Sequence, residues 1–139
     1  MLILWFSALL FFIWLIQNSL TVVTVQQESM LPALKPGERF LAIRYWPVRW
    51  VKKGQIVLVS IGAGNILFVK RVVALSGETF KAAVAEINDD AQIDLIERTW
   101  HIPPKHFFVC GDNVYASTDS REWGPLPFSS LRGYILFRL

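Results

Sequence analysis

Cysteine, histidine and early positive charge are scarce in this 139-residue chain, and each scarcity removes a class of explanation. A single cysteine, Cys110, excludes an internal disulfide. Set in Phe107-Phe108-Val109-Cys110, it reads as a small buried apolar residue rather than a thiol partnered by His101 or His106. Those two histidines and one cysteine present no zinc-ligand spacing, so no metal or other cofactor is expected. No Lys or Arg precedes Lys35, and no Ala-x-Ala pattern follows the apolar start. The N-terminus therefore lacks both the basic region and the cleavage site of a removable secretory signal. A net charge of +3 suits an anionic lipid surface but names no partner, and nothing indicates nucleic acid.

What is present is apolar, 53% of the residues, and concentrated at the start. From Met1 to Ile16 only Ser7 is polar; Gln17, Asn18 and Ser19 then interrupt before Leu20 to Val25 resumes a milder apolar run. A stretch apolar on every face is not a surface helix of a soluble domain. Crossing the hydrocarbon core takes about 20 residues, so residues 1 to about 20 are just long enough. Five of the first sixteen residues are Trp or Phe, which suits a membrane interface. The sequence thus predicts a retained transmembrane anchor and exit segment over residues 1–25, followed by one β-rich domain over residues 26–139.

Beyond Val25 the apolar runs are short, β-branched and broken by Gly and Pro, which predicts strands and turns. Expected strands are Arg39–Tyr45, Gln55–Ser60, Ile66–Ala74, Thr79–Ala83, Ala91–Ile96, His106–Cys110 and Gly133–Arg138. No long amphipathic helical repeat interrupts them, so the fold class is mostly β, a compact antiparallel domain. Glu86 to Asp90 reads as an exposed turn. Trp46 to Lys53 mixes aromatic and basic residues and fits either lipid headgroups or a solvated loop.

Chemistry enters at Gln26-Gln27-Glu28-Ser29-Met30-Leu31-Pro32, where Ser29 is the candidate nucleophile. A serine hydroxyl needs a neighbouring base, and Lys70, His101 and His106 are the choices. Alone, a serine before a proline-containing turn is ordinarily a cap or turn residue. In Phe68-Val69-Lys70-Arg71-Val72-Val73, strand alternation puts Lys70 and Arg71 on opposite faces; the block alone leaves open which one points inward. A third block runs from Gly111-Asp112-Asn113 through Ser117-Thr118-Asp119-Ser120-Arg121.

These three blocks, in this order behind an apolar N-terminus, resemble the type I signal peptidases, serine proteases with a Ser-Lys dyad. The resemblance implies a signal-peptidase-like fold with the catalytic groups at one edge of the sheet, Ser29 as nucleophile and Lys70 as general base. It implies that Ser117 orients the lysine, that Asp119 and Arg121 steady this region, and that the Ser29 amide is one oxyanion donor. Gln27 stands where the family has a serine or glycine supplying the second donor, and either its side chain or its backbone would serve. Met30 and Leu31 are candidates for the specificity pockets. The implied reaction removes N-terminal signal peptides from exported preproteins through an acyl-enzyme, without a cofactor. It takes place on the non-cytoplasmic side of a membrane, the bacterial cytoplasmic membrane foremost. The alternatives are a dedicated maturation protease for one exported substrate and a catalytically silent membrane-anchored scaffold. Larger family members carry an inserted β domain between Glu78 and His101, where this chain has little room, so a minimal form is expected.

Overall fold

The computed structural model describes residues 1–44, 47–62 and 66–139, with Leu2 by its backbone only. Tyr45 and Trp46, which close the first expected strand and open the aromatic-basic segment, lie outside the described residues, and so do residues 63–65. The apolar start forms helix α1, Leu2–Ser19. Its polar side chains are satisfied within the helix: Ser7 Oγ donates to Leu4 O at 2.9 Å, Asn18 Nδ2 to Trp14 O at 2.8 Å and Ser19 Oγ to Leu15 O at 2.8 Å. The apolar side chains, including Trp5, Phe6 and Phe11, stand exposed. At 1.5 Å per residue the helix is about 27 Å long, a little under the hydrocarbon thickness of about 30 Å. Among the described residues no helix is long and apolar enough to cross a membrane. The helix ends where Thr21, Val22, Val23 and Thr24 begin, because β-branched residues favour extended backbone. The expected exit segment is therefore itself strand β1, Leu20–Thr24.

The remaining elements are β2 (Arg39–Ile43), β3 (Ile56–Ser60), β4 (Leu67–Leu75), β5 (Thr79–Ile87), β6 (Ile93–His101), β7 (His106–Cys110), helix α2 (Ser120–Trp123), β8 (Leu126–Pro127) and β9 (Leu131–Arg138). One antiparallel sheet runs β1-β2-β9-β3-β4-β7-β8. Mostly β and antiparallel, the architecture is the expected one. Val57, Val59, Val72, Phe107 and Val109 from its central strands form the main core with Leu126 and Tyr134. A second cluster of Val25, Met30, Leu34 and Phe40 lies beneath the turn that carries Ser29.

The strands expected at Thr79–Ala83 and Ala91–Ile96 are present but longer or shifted, and form a two-stranded ribbon, β5 with β6, paired continuously from Thr79↔His101 to Ile87↔Ile93. Glu86 and Ile87 belong to the strand, and the reversal falls at Asn88, whose Oδ1 accepts from Asp90 N at 3.1 Å and Gln92 N at 2.8 Å. The strands run longer than their apolar runs because hairpin pairing, including an Arg98–Glu86 ion pair, extends them through polar residues. Phe80 and Trp100 fasten the ribbon to the sheet by packing on Phe108, with ring centroids 4.9 and 5.1 Å away. Truncating fully buried Phe108 to Ala is expected to cost about 3–5 kcal/mol. Urea denaturation would show this, and a loss below about 1 kcal/mol would mean that the ribbon is not held through this ring.

Candidate active site

Ser29 sits in a 3-10 turn, Glu28–Met30, separated from β1 by Val25, Gln26 and Gln27. The turn is pinned from three directions. Hydrogen bonds from Val25 N to Glu38 O (3.0 Å) and from Gly37 N to Val25 O (2.8 Å) close the loop behind it. Met30, fully buried, plugs it into the second apolar cluster. From the loop after β7, Asn113 N donates to Ser29 O at 2.9 Å and Asn113 Nδ2 to Glu28 O at 3.1 Å. Ser29 is 5% exposed and lines a cleft of about 970 Å³ that extends along β1 between that strand and β3 and β4. Gln27 is exposed on the same cleft wall. Met30 lines it too, whereas Leu31 does not.

Strand β4 packs beneath this turn, and alternation buries Lys70, Val72 and Ala74 together. Lys70 is the inward residue, 1% exposed, and is not among the residues that line the cleft. Its Nζ donates to Ser117 Oγ at 2.9 Å, and that hydroxyl donates onward to Asp119 Oδ2 at 2.7 Å. Burial pushes the Lys70 pKa down; Asp119 pulls it back up and Arg121 adds to the lowering, leaving it below the ordinary 10.5. Folding therefore favours the neutral amine, and the cost of an ammonium here shrinks as pH rises through the lowered value.

Asp119, fully buried, organises the other end of this chain of contacts. Its carboxylate accepts from Gly111 N (2.8 Å), Arg121 N (3.1 Å), Arg121 Nε (2.9 Å) and Arg121 Nη2 (2.6 Å), and it caps α2. Burial by itself raises the Asp119 pKa, but the hydrogen bonds from Arg121, Ser117 and Gly111 outweigh it and hold the carboxyl below its usual range. Arg71 takes the opposite face of β4 and grips Asp112 with Nε–Oδ1 at 2.8 Å and Nη2–Oδ2 at 2.6 Å. That fork fixes the loop from which Asn113 reaches Ser29. Arg71 is expected from the sequence only as the residue facing away from Lys70, and Gly111 to Asn113 only as the turn that returns the chain beside Ser29; their partners, Asp112 for Arg71 and Glu28 and Ser29 for Asn113, appear only in the fold.

Gly111 joins the two halves of the site. A Cβ there would fall 2.5 Å from Ser29 O and 2.5 Å from Ser117 Cβ, so only glycine lets the Ser29 turn and the Ser117 loop meet. The structure thus brings Ser29, Lys70, Ser117, Asp119 and Arg121 into one region. His101 lies on the ribbon with Nδ1 3.2 Å from Thr79 Oγ1, and His106 opens β7 with Nδ1 2.8 Å from Pro104 O. Cys110 is buried, and desolvation together with Asp119 pushes its thiol up to about 12, which keeps it protonated and inert.

The sequence model of signal peptidase, peptidase S26, matches residues 1–90 and 81–139. The chain belongs to this family and is a serine peptidase. It is 32% identical over 118 residues to mitochondrial ATP-independent inner membrane protease subunit 1a of Arabidopsis thaliana, covering 83% of this chain and 67% of that one. It is 33% identical over 92 residues to mitochondrial inner membrane protease subunit 1 of Mus musculus, with 64% and 50% covered. A Synechocystis protein named "Probable signal peptidase I-1" is 30% identical over 134 residues, with 82% and 68% covered. The chain spans half to about two-thirds of the length of these relatives.

Replacing Gly111 with Ala is expected to leave the protein folded while lowering peptidase activity about 100-fold, since displacement of about 1 Å at a reacting group costs that much. Activity assays paired with thermal melts would check it. Full activity in a folded Gly111→Ala protein would mean that the approach of Ser29 to Ser117 is not needed.

Proposed function

We propose that this chain is a membrane-bound serine endopeptidase that removes N-terminal signal peptides from exported preproteins, with Ser29 as nucleophile and Lys70 as general base. The observation that carries the reading is a buried lysine of lowered pKa, hydrogen-bonded to Ser117 and brought against the Ser29 turn across Gly111. Ser29 Oγ attacks the scissile carbonyl and its proton passes to the neutral Lys70 amine. The resulting ammonium protonates the departing amine of the mature protein as the peptide bond breaks. Lys70, neutral again, deprotonates a water that attacks the acyl-enzyme, and collapse returns the proton to Ser29 Oγ. Ser29 N–H and position 27 stabilise the oxyanion. Ser117, tied to Asp119, holds the amine in place through every step.

In this reading α1 anchors the chain, with its aromatic residues at the interface, and the β domain faces the non-cytoplasmic side. The anchor brings Ser29 close to the lipid surface, where a substrate held by its own apolar helix presents its cleavage site. Two relatives are named inner membrane proteases, which supports a membrane setting.

The direct test is cleavage of a membrane-inserted preprotein bearing Ala-x-Ala. Ser29→Ala and Lys70→Met are expected to lose about 10⁴-fold or more while keeping the parent's fold by circular dichroism. Undiminished cleavage by either would give that residue another role. Because the base must be neutral, kcat/KM is expected to rise with pH on a limb whose midpoint lies below 10.5, in the direction of the Lys70 shift. A rate independent of pH across that range would rule out an amine as the base.

A further inference from the structure

The cleft that holds Ser29 is charged at one end only. Arg44 and Arg132 line it, and no carboxylate does among the described residues. The two arginines are neighbours although they come from distant parts of the chain. Ile43 pairs with Tyr134 across β2 and β9, and Gly133 lies so close that a Cβ on it would be 2.6 Å from Ile43 O and 3.4 Å from Arg44 Cα. Arg44 Nη2 donates to Thr21 Oγ1 at 3.0 Å, while Arg132 Nη1 donates to Ser129 O at 2.6 Å and Leu131 O at 3.2 Å. Neutral acceptors hold both side chains in place and leave their charge uncompensated. By contrast Arg71, Arg98, Arg121 and Arg138 are each paired with a carboxylate.

The pair also sits at a defined distance from the chemistry. Arg44 N donates to Ser19 O at 2.8 Å, which puts it at the start of β1, while Ser29 lies past the other end. The five residues of β1 cover roughly 16 Å. A peptide lying extended along the cleft and reacting at Ser29 therefore has a side chain about four to six residues from the scissile bond opposite the arginines. Because the arginines adjoin the end of α1, that side chain lies on the side from which a membrane-held segment enters.

We propose that Arg44 and Arg132 form a carboxylate-binding subsite that favours substrates carrying Asp or Glu about four to six residues before the cleavage point. The inference rests on the peptidase reading for its orientation, and binding tests it separately from catalysis. The substrate is favoured over a lipid headgroup because both arginines line the Ser29 cleft. A forked guanidinium matches a carboxylate in two-point contact, and two of them without a competing acid act on one ligand charge.

The experiment uses the full chain in detergent with Ser29→Ala, and fluorescent Ala-x-Ala peptides bearing Glu or Gln at the fourth, fifth or sixth residue before the cut. Anisotropy is expected to show one Glu peptide binding about three- to tenfold tighter than its Gln twin, an advantage that fades at high salt. Adding Arg44→Gln with Arg132→Gln brings that ratio to about one, and adding the paired Lys substitutions keeps part of it. Equal binding of Glu and Gln peptides at every position, or no binding of either, overturns the proposal. So does a double Gln variant that loses affinity for anionic vesicles but keeps the peptide ratio, since the arginines then serve headgroups. Charge-selective binding by a parent that cleaves no preprotein sinks the peptidase reading and leaves the subsite standing. Cleavage by the parent without charge selection does the reverse.

Discussion

The structure depends on keeping one lysine dry. A buried ammonium is costly by several kcal/mol unless it is well paired, and Lys70 is given only a hydroxyl, with the carboxylate set one bond further away. Had Asp119 touched Lys70 directly, an ordinary ion pair would have raised the lysine's pKa and locked the proton on. Arg121 claims that carboxylate instead, through two side-chain contacts and a backbone one. Ser117 therefore acts as an insulated link. It orients the amine without supplying the charge that would make the ammonium stable.

The rest of the fold can be read as support for that arrangement. The central strands bury β4 on the face that carries Lys70, the second apolar cluster seats the Ser29 turn by way of Met30, and Arg71 fixes the loop between β7 and α2 from the far side of the sheet. Three segments distant in sequence are thereby fastened together: Asn113 holds the Ser29 turn at Ser29 O and Glu28 O, and Lys70 of β4 joins the same loop through Ser117. Rigid placement of this kind is what the uncharged base proposed here would require, since it has no long-range attraction to draw its partner in.

Much of this was legible from the residues because it is local. The Ser29 turn, the alternation around Lys70 and the Gly-Asp-Asn to Asp-Ser-Arg block each sit within a dozen neighbours, and the central strands announce themselves by apolar runs. What stayed hidden depends on pairing. Leu20 to Thr24 reads as the tail of the apolar run until β2 turns it into an edge strand, and β5 and β6 lengthen through Glu86 and Arg98, which carry no strand signal of their own. Asn113 looks like a turn residue; its grip on Glu28 and Ser29 exists only in three dimensions. Arg44 and Arg132 are two unremarkable charges until β2 and β9 lie side by side.

The spread of the site along the chain has a consequence for the life of the molecule during its synthesis. Glu28 waits for a contact 85 residues downstream, and Lys70 for one 47 residues downstream. Until that last loop has emerged and closed, the serine has no fixed carbonyl and the lysine no orienting hydroxyl. With Ser29 as the nucleophile proposed above, the nascent chain already carries that residue, yet in a harmless form. On that proposal proteolytic competence arrives only with the completed fold, so the order of residues serves the purpose that a propeptide serves in other proteases.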